Sequence, residues 1–366
     1  MTLERPSSAI ADSENTDDAL AARAALNQRT TAHTRVQLLR VVGLLVGLGV
    51  LVLCVMLSIS VGAKPIPLPT VWHALIDDQG SYNQDVIFEL RLPRTVLGIA
   101  IGASLGVAGA LMQALTRNPI ADPGLLGINA GAAMAVVVAI FIFGLTDLTS
   151  YVWFGFLGAA VTAFVVYFLG SRGRTGATPV RLALAGTAVA AVLIGLMNGI
   201  VIVNDFVFDQ IRFWQVGSLV GRDMAIFAQV LPFLLIGLAI ALFLGSSLNA
   251  IALGEDMAAA LGARINRTRA VSALAIVLLC GGATAAAGPI GFVGLTIPHV
   301  ARAITGPDQR WVLPYSAVLA AILLVGADTL GRIVLPSGEL EVGIITALVG
   351  APVFIALVRR TRMAQL

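Results

Sequence analysis

Ten apolar runs, most of them near 20 residues long, follow one another between residues 41 and 358, and short polar stretches separate them. A helix needs about 20 mainly apolar residues to cross about 30 Å of hydrocarbon. The runs are 41–61, 95–115, 124–144, 151–170, 179–203, 225–245, 270–288, 294–304, 311–332 and 342–358. The eighth is too short to cross alone. It follows the break Gly288-Pro289-Ile290-Gly291, so it reads as a partial helix packed inside the protein, where non-helical backbone is tolerated at membrane depth. Composition agrees: 58% of residues are apolar and 12% charged, against about 25% charged in a soluble domain. The expectation is an all-α, polytopic membrane protein with about ten transmembrane helices. A polar tail, 1–38, solvated and disordered or helical only in part, precedes a membrane domain, 39–366. The first apolar run starts too late and is too long for a secretory signal.

An even number of spans puts both termini on one side. Seventeen of the 23 basic residues fall on that side, and the other six are Lys64, Arg91, Arg94, Arg212, Arg222 and Arg332. The positive-inside rule places both termini in the cytoplasm of a multi-pass cell-membrane protein.

Several function classes fall away on residue types. The one lysine, Lys64, precedes a proline, whereas a nucleotide-binding P-loop needs Lys followed by Ser or Thr. The chain therefore carries no ATPase of that type. A net charge of +3, explained by topology, gives no case for nucleic acid. Cys54 and Cys280 lie inside apolar runs with no metal-ligand spacing, so no cofactor or metal is expected. Asp328 is the one acid well inside a span, a turn from Arg332. Ion-coupled carriers use buried acids, histidines or lysines as relays, and their scarcity speaks against a secondary transporter. No nucleophile–base pair supports a membrane enzyme. Energy should come from another subunit.

Four segments could carry function. Arg91-Leu92-Pro93-Arg94 opens the second span on the outer side, where arginines are unexpected. Arg91 and Arg94, with Arg332 at the outer end of the ninth span, suit docking of an acidic partner through forked ion pairs; lipid-headgroup anchoring is the plainer reading. In the loop 251–269, Glu255 and Asp256 suit a helix start. Leu253, Met257 and Leu261 share one face, and Gly262 is a natural stop. So short a helix must pack on something: its own bundle or a groove in a partner. Asn118-Pro119 and Asp122-Pro123-Gly124 make a tight turn between spans two and three. Gly291-Phe292-Val293-Gly294 leads into Pro298, His299 and Arg302, where a lone helical histidine is more often structural than a ligand. Gly98, Gly102 and Gly106 repeat every fourth residue, as on a face where helices approach closely within one subunit.

In order along the chain, Arg-Leu-Pro-Arg at 91–94, Gly-Ala-Leu-Met-Gln-Ala at 109–114 and Asn-Pro-Ile-Ala-Asp-Pro-Gly-Leu-Leu-Gly at 118–127 resemble the permease subunits of iron-siderophore and cobalamin ABC importers, the FecCD-like group. So do the Leu-Gly…Ala-Leu-Gly loop at 253–262, Gly-Phe-Val-Gly-Leu…Pro-His…Arg at 291–302, and Gly-Ala-Pro-Val-Phe at 350–354. One departure is visible: the family usually has Glu-Leu-Pro-Val-Gly before the last span, and here Glu341 replaces that proline.

The resemblance implies ten helices per subunit and a homo- or heterodimer of permeases around a path lined by spans five and ten. Two ATP-binding subunits would sit beneath, and an extracytoplasmic binding protein or lipoprotein would dock above. By the same resemblance Leu253, Gly254, Glu255, Asp256, Met257, Ala260, Leu261 and Gly262 form the helix that contacts the ATPase. Arg91, Arg94 and Arg332 would meet acidic residues of the binding protein. The cargo implied is a ferric siderophore, with cobalamin or haem as alternatives. The chain would act as a transport subunit in the lipid bilayer, not as an enzyme.

Overall fold

A computed structural model describes residues 9–62, 64–76, 81–172, 179–260, 262–335 and 338–360, without the side chains of 9–33, 75, 179, 255, 357, 358 and 360. The chain divides into two units, Met1–Val46 and Gly47–Leu366. Helix α1, Ala9–Ser60, is continuous, so the tail is helical from Ala9. Its alanines at 19, 21, 22, 24 and 25 are the best intrinsic helix formers.

In the second unit the order is α2 (Leu68–Ile76), α3 (Tyr82–Asp85), α4 (Leu92–Thr116), α5 (Ile128–Phe143), α6 (Leu148–Ser171), α7 (Pro179–Val203) and α8 (Asp205–Val216). Then come α9 (Met224–Ala252), α10 (Glu255–Ala260), α11 (Ile265–Ile276), α12 (Gly282–Ala287), α13 (Val293–Thr305), α14 (Gln309–Val334) and α15 (Val342–Arg360). Wide π-helical turns, Val86–Arg91 and Val277–Gly281, run into α4 and join α11 to α12. Seven segments among the described residues are long and apolar enough to cross a membrane, and α5 and α15 are shorter apolar helices. With the half-length α13, these match the ten runs of the sequence. The face that carries Ser60 is termed outer, the opposite one inner, after the charge distribution.

Helix α4 is the hub, packed against α14, α13, α9 and α11. Its glycine face makes this contact. A Cβ on Gly102 would lie 2.7 Å from the Ala320 carbonyl oxygen, and one on Gly106 would lie 2.4 Å from that of Ser316. The expected role of that face, close packing within the subunit, is what the structure shows. Without a hydrophobic drive between helices in lipid, such close backbone approach supplies the van der Waals contact that holds them.

The expected break falls at 288–292. Gly288 has φ +76° and Phe292 φ +65°, and a Cβ on Gly288 would lie 1.9 Å from the Trp214 carbonyl oxygen. The Ser218 N–H donates to the Ala287 carbonyl at 2.8 Å, so the irregular backbone is satisfied inside the protein.

Candidate functional site

Three places gather the residues singled out in the sequence. At the outer end of the bundle, Asp328 of α14 accepts hydrogen bonds from two guanidiniums. Arg94 Nε lies 2.8 Å from Oδ1, and Arg332 Nε and Nη2 lie 3.1 and 2.5 Å from Oδ2. Arg94 Nη1 also donates to Glu339 Oε2 at 2.5 Å. Arg332 Nη1 reaches the Ser58 carbonyl at 2.7 Å. The Ser58 hydroxyl pairs with Thr95 Oγ1 at 2.7 Å, and Thr95 donates to the Arg91 carbonyl at 2.7 Å.

Arg91 completes the set. Its Nη1 donates to the carbonyls of Ile59 and Ser60 at 2.6 and 3.0 Å, and its Nη2 donates to that of Lys64 at 2.5 Å. The last carbonyls of α1 lack helical partners, and the helix dipole favours a cation there. Gly62 makes room, since a Cβ on it would sit 2.8 Å from Arg91 Nη2.

The expectation that these three arginines form an exposed outer set does not describe them. Arg91, Arg94 and Arg332 are only 6, 8 and 5% exposed. Two cations, Arg94 and Arg332, face two carboxylates, Asp328 and Glu339, as buried charges require. Their work in this subunit is to tie the end of α1, the start of α4, the end of α14 and the loop before α15 together. With Glu341 at the family's proline position, Arg332 reaches Asp328 and the Ser58 carbonyl.

On the inner face, α10 stands between Gly254, φ +111°, and Gly262, φ +80°. Its C-terminal turn closes with Gly262 N–H donating to Ala259 O and Ala263 N–H to Ala258 O, both at 2.9 Å. This is the paired arrangement that a left-handed glycine permits. Ala258 is fully buried, so one face rests on the bundle against α9 and α11. The other presents Met257, 57% exposed, and just before the helix, across the left-handed Gly254, Leu253 at the end of α9 is 65% exposed. Asp256, Ala259 and Ala260 are exposed as well. Leu261 and the side chain of Glu255 lie outside the described residues.

Also toward the inner face, three of the quoted motifs meet. Gln113 of α4 donates through Nε2 to the carbonyls of Gly294 and Leu295 at 3.3 and 3.1 Å. Its Oε1 accepts from Arg302 Nη2. His299 Nε2 lies 2.6 Å from the Pro119 carbonyl oxygen, which fits the structural reading of that histidine. In the turn itself, Asp122 Oδ1 accepts from Gly124 N–H at 2.7 Å. Burial pushes the Asp122 carboxyl up, and the Gly124 N–H opposes the shift.

Two features escaped the sequence reading. Helix α8 is amphipathic rather than apolar: Val207, Ile211 and Trp214 are buried, while Phe206, Phe208 and Phe213 are exposed. The 3.6-residue period was there to be read. Arg222, treated only as an outer cation, is buried beside Tyr151 and within the field of Glu341. Desolvation lowers its pKa, and both neighbours raise it.

Residues 50–360 match the FecCD transport family. The ferric enterobactin transport system permease protein FepD of Escherichia coli is 48% identical over 310 residues, covering 85% of this chain and 92% of that protein. The probable siderophore transport system permease protein YfiZ of Bacillus subtilis is 44% identical over 85% of this chain and 93% of its own length. Among solved structures, a chain of an inward-facing metal-chelate type ABC transporter superposes with a TM-score of 0.77 at 27% identity, covering 87% of this chain and 98% of that one. The chain belongs to the FecCD transport family and is a membrane-spanning permease subunit of an ABC importer, served by an ATPase on a separate subunit.

Proposed function

We propose that this permease moves a ferric siderophore inward by alternating access, driven by two copies of a partner ATPase. The observation that carries the reading is family membership over 50–360 together with relatives named for ferric enterobactin, siderophore and iron-hydroxamate transport. A binding protein or lipoprotein delivers the chelate to the outer face, and a second permease subunit, identical or related, completes the path.

Helix α10 is the coupling element. Leu253 and Met257 form an exposed apolar pair on an inner loop, the kind of small knob that fills a partner groove. At the outer face, Arg91, Arg94 and Arg332 are positioning groups: they hold the loops around Lys64 and Glu339 in the shape that the binding protein meets. Both termini are cytoplasmic, on the charge distribution. The path runs along α7 and α15; beside α15 lies an open apolar groove lined by Gly343, Ile344, Ala347 and Leu348 and by Val216 at the end of α8.

The test is uptake in a deletion strain complemented with this chain, using radiolabelled ferric siderophore, haem and cobalamin in parallel. Siderophore uptake that needs ATP and persists when the proton gradient is collapsed supports the reading. Uptake of haem or cobalamin alone overturns the cargo, and uptake that follows the gradient overturns the mechanism.

A further inference from the structure

The outer segment between α1 and α4 has a face that neither the path nor the coupling helix uses. In α2, Val71 and Ala74 are buried against Ile59, Ile66 and Ile87. The opposite face shows Leu68, Trp72 and Ile76, 49, 62 and 68% exposed, at i, i+4 and i+8. Between this helix and the outer half of α1 runs a groove of about 710 Å³. Leu51, Val55 and Met56 form one wall, Leu68 and Trp72 the other, and among the described residues the polar groups lining it are the His73 ring and the Trp72 indole N–H.

We propose that this groove holds an acyl tail of an outer-leaflet phospholipid, with α2 lying in the membrane interface and Trp72 at headgroup depth. Three observations select the occupant. The groove continues an exposed apolar face of α1 that includes Val52, Leu53 and Met56, inside a segment, Thr34–Ser60, long and apolar enough to cross a membrane. Among the described residues the walls hold only the His73 ring and the Trp72 indole N–H as polar groups, whereas a protein interface carries about one hydrogen bond per 100–200 Å². The exposed stripe of α2 is short and centred on a tryptophan, the side chain that favours the membrane–water interface. Ile59 closes the floor, and Arg91 caps its carbonyl, so the tail would rest on the buried arginine clasp. The leaflet follows from the proposed orientation; occupancy of the groove does not.

The chain has four tryptophans, and the experiment isolates Trp72 in the full-length permease in lipid nanodiscs. Emission from the wild type minus that from Trp72→Phe is recorded with phosphatidylcholine brominated near the top of the acyl chain, and separately with aqueous acrylamide. The expected result is loss of most Trp72 emission to the brominated lipid and little to acrylamide. Strong quenching by acrylamide with none by the brominated lipid overturns the proposal. Val55→Trp, which fills the groove, should leave one fewer motionally restricted spin-labelled phospholipid per chain. An unchanged restricted count also overturns it. Neither readout depends on cargo or on ATP, so failure here is separable from failure of the transport reading.

Discussion

Arg94 and Asp328, 234 residues apart in the chain, meet at the outer end of the bundle with Nε 2.8 Å from Oδ1. Asp328 also accepts from Arg332, so a single carboxylate satisfies parts of two buried guanidiniums. The arrangement makes Asp328 the least replaceable member of the set. Losing one arginine leaves the acid a second partner, whereas losing the acid leaves two buried cations short of charge. The first prediction follows: Asp328→Asn should destabilise the permease by about 3–5 kcal/mol, the usual cost of breaking a buried pair. Thermal unfolding of the purified protein measures it. Arg94→Met should cost less than Asp328→Asn, and the reverse order would contradict this account of the network.

The coupling face makes the opposite kind of prediction, a loss of function without a loss of fold. Leu253 and Met257 are exposed, and exposed substitutions away from special features usually stay within about 0.5 kcal/mol. Leu253→Asp with Met257→Asp should leave the unfolding temperature of the isolated permease unchanged. Uptake should fall to background, and ATP hydrolysis by the assembled transporter should lose its dependence on loaded binding protein. Uptake at the wild-type rate would remove α10 from the coupling role.

How far the sequence could be read depended on the range of the interaction. The long apolar helices were legible because each is a local run of apolar residues, and the half-helix α13 because Gly288 and Pro289 announce it. The glycine face of α4 was legible for the same reason. Helices α2 and α8 went unread although their helical period is local, because they are short and lie beside long apolar runs. The arginines were found by residue type and by their unexpected side of the membrane. Their burial was hidden, because Arg94 meets Asp328 and Glu339 only through tertiary packing over more than 230 residues. Glu341 marks the same limit. Its departure from the family pattern is plain in the sequence, but the buried Arg222 that feels its charge becomes visible only once the loops are in place.

Gly109 tests the close approach of α4 and α13. A Cβ there would lie 1.9 Å from the Gly294 carbonyl oxygen, an atom that cannot swing away, and Gln113 one turn on bonds the same carbonyl. Gly109→Ala should push the helices apart and cost about 1–3 kcal/mol or more, as overpacking does. Gly49→Ala, with no atom near its added Cβ, is the control and should be neutral or slightly stabilising through helix propensity. Equal melting temperatures for the two variants would count against the packing argument.

The inner end of α14 supplies a pH-dependent prediction. Burial pushes the Asp308 carboxyl up, but hydrogen bonds from Arg310, from Asn249 and from the Arg310 backbone N–H outweigh it and hold the pKa at about 2. Asn249 Nδ2 lies 2.6 Å from Asp308 Oδ1, and Asn249 Oδ1 accepts from Gln309 N–H at 2.8 Å, so the carboxylate joins the end of α9 to the start of α14. A pKa lower in the folded than in the unfolded state, where it is about 3.9, stabilises the folded state in full above the higher value. That contribution is lost as pH falls from about 3.9 through about 2. Asp308→Asn should therefore be less stable than the wild type at neutral pH, and the gap between their unfolding temperatures should close across that acid window. A gap that stays constant from neutral pH down through the window would mean that packing, not the charge on Asp308, secures this joint.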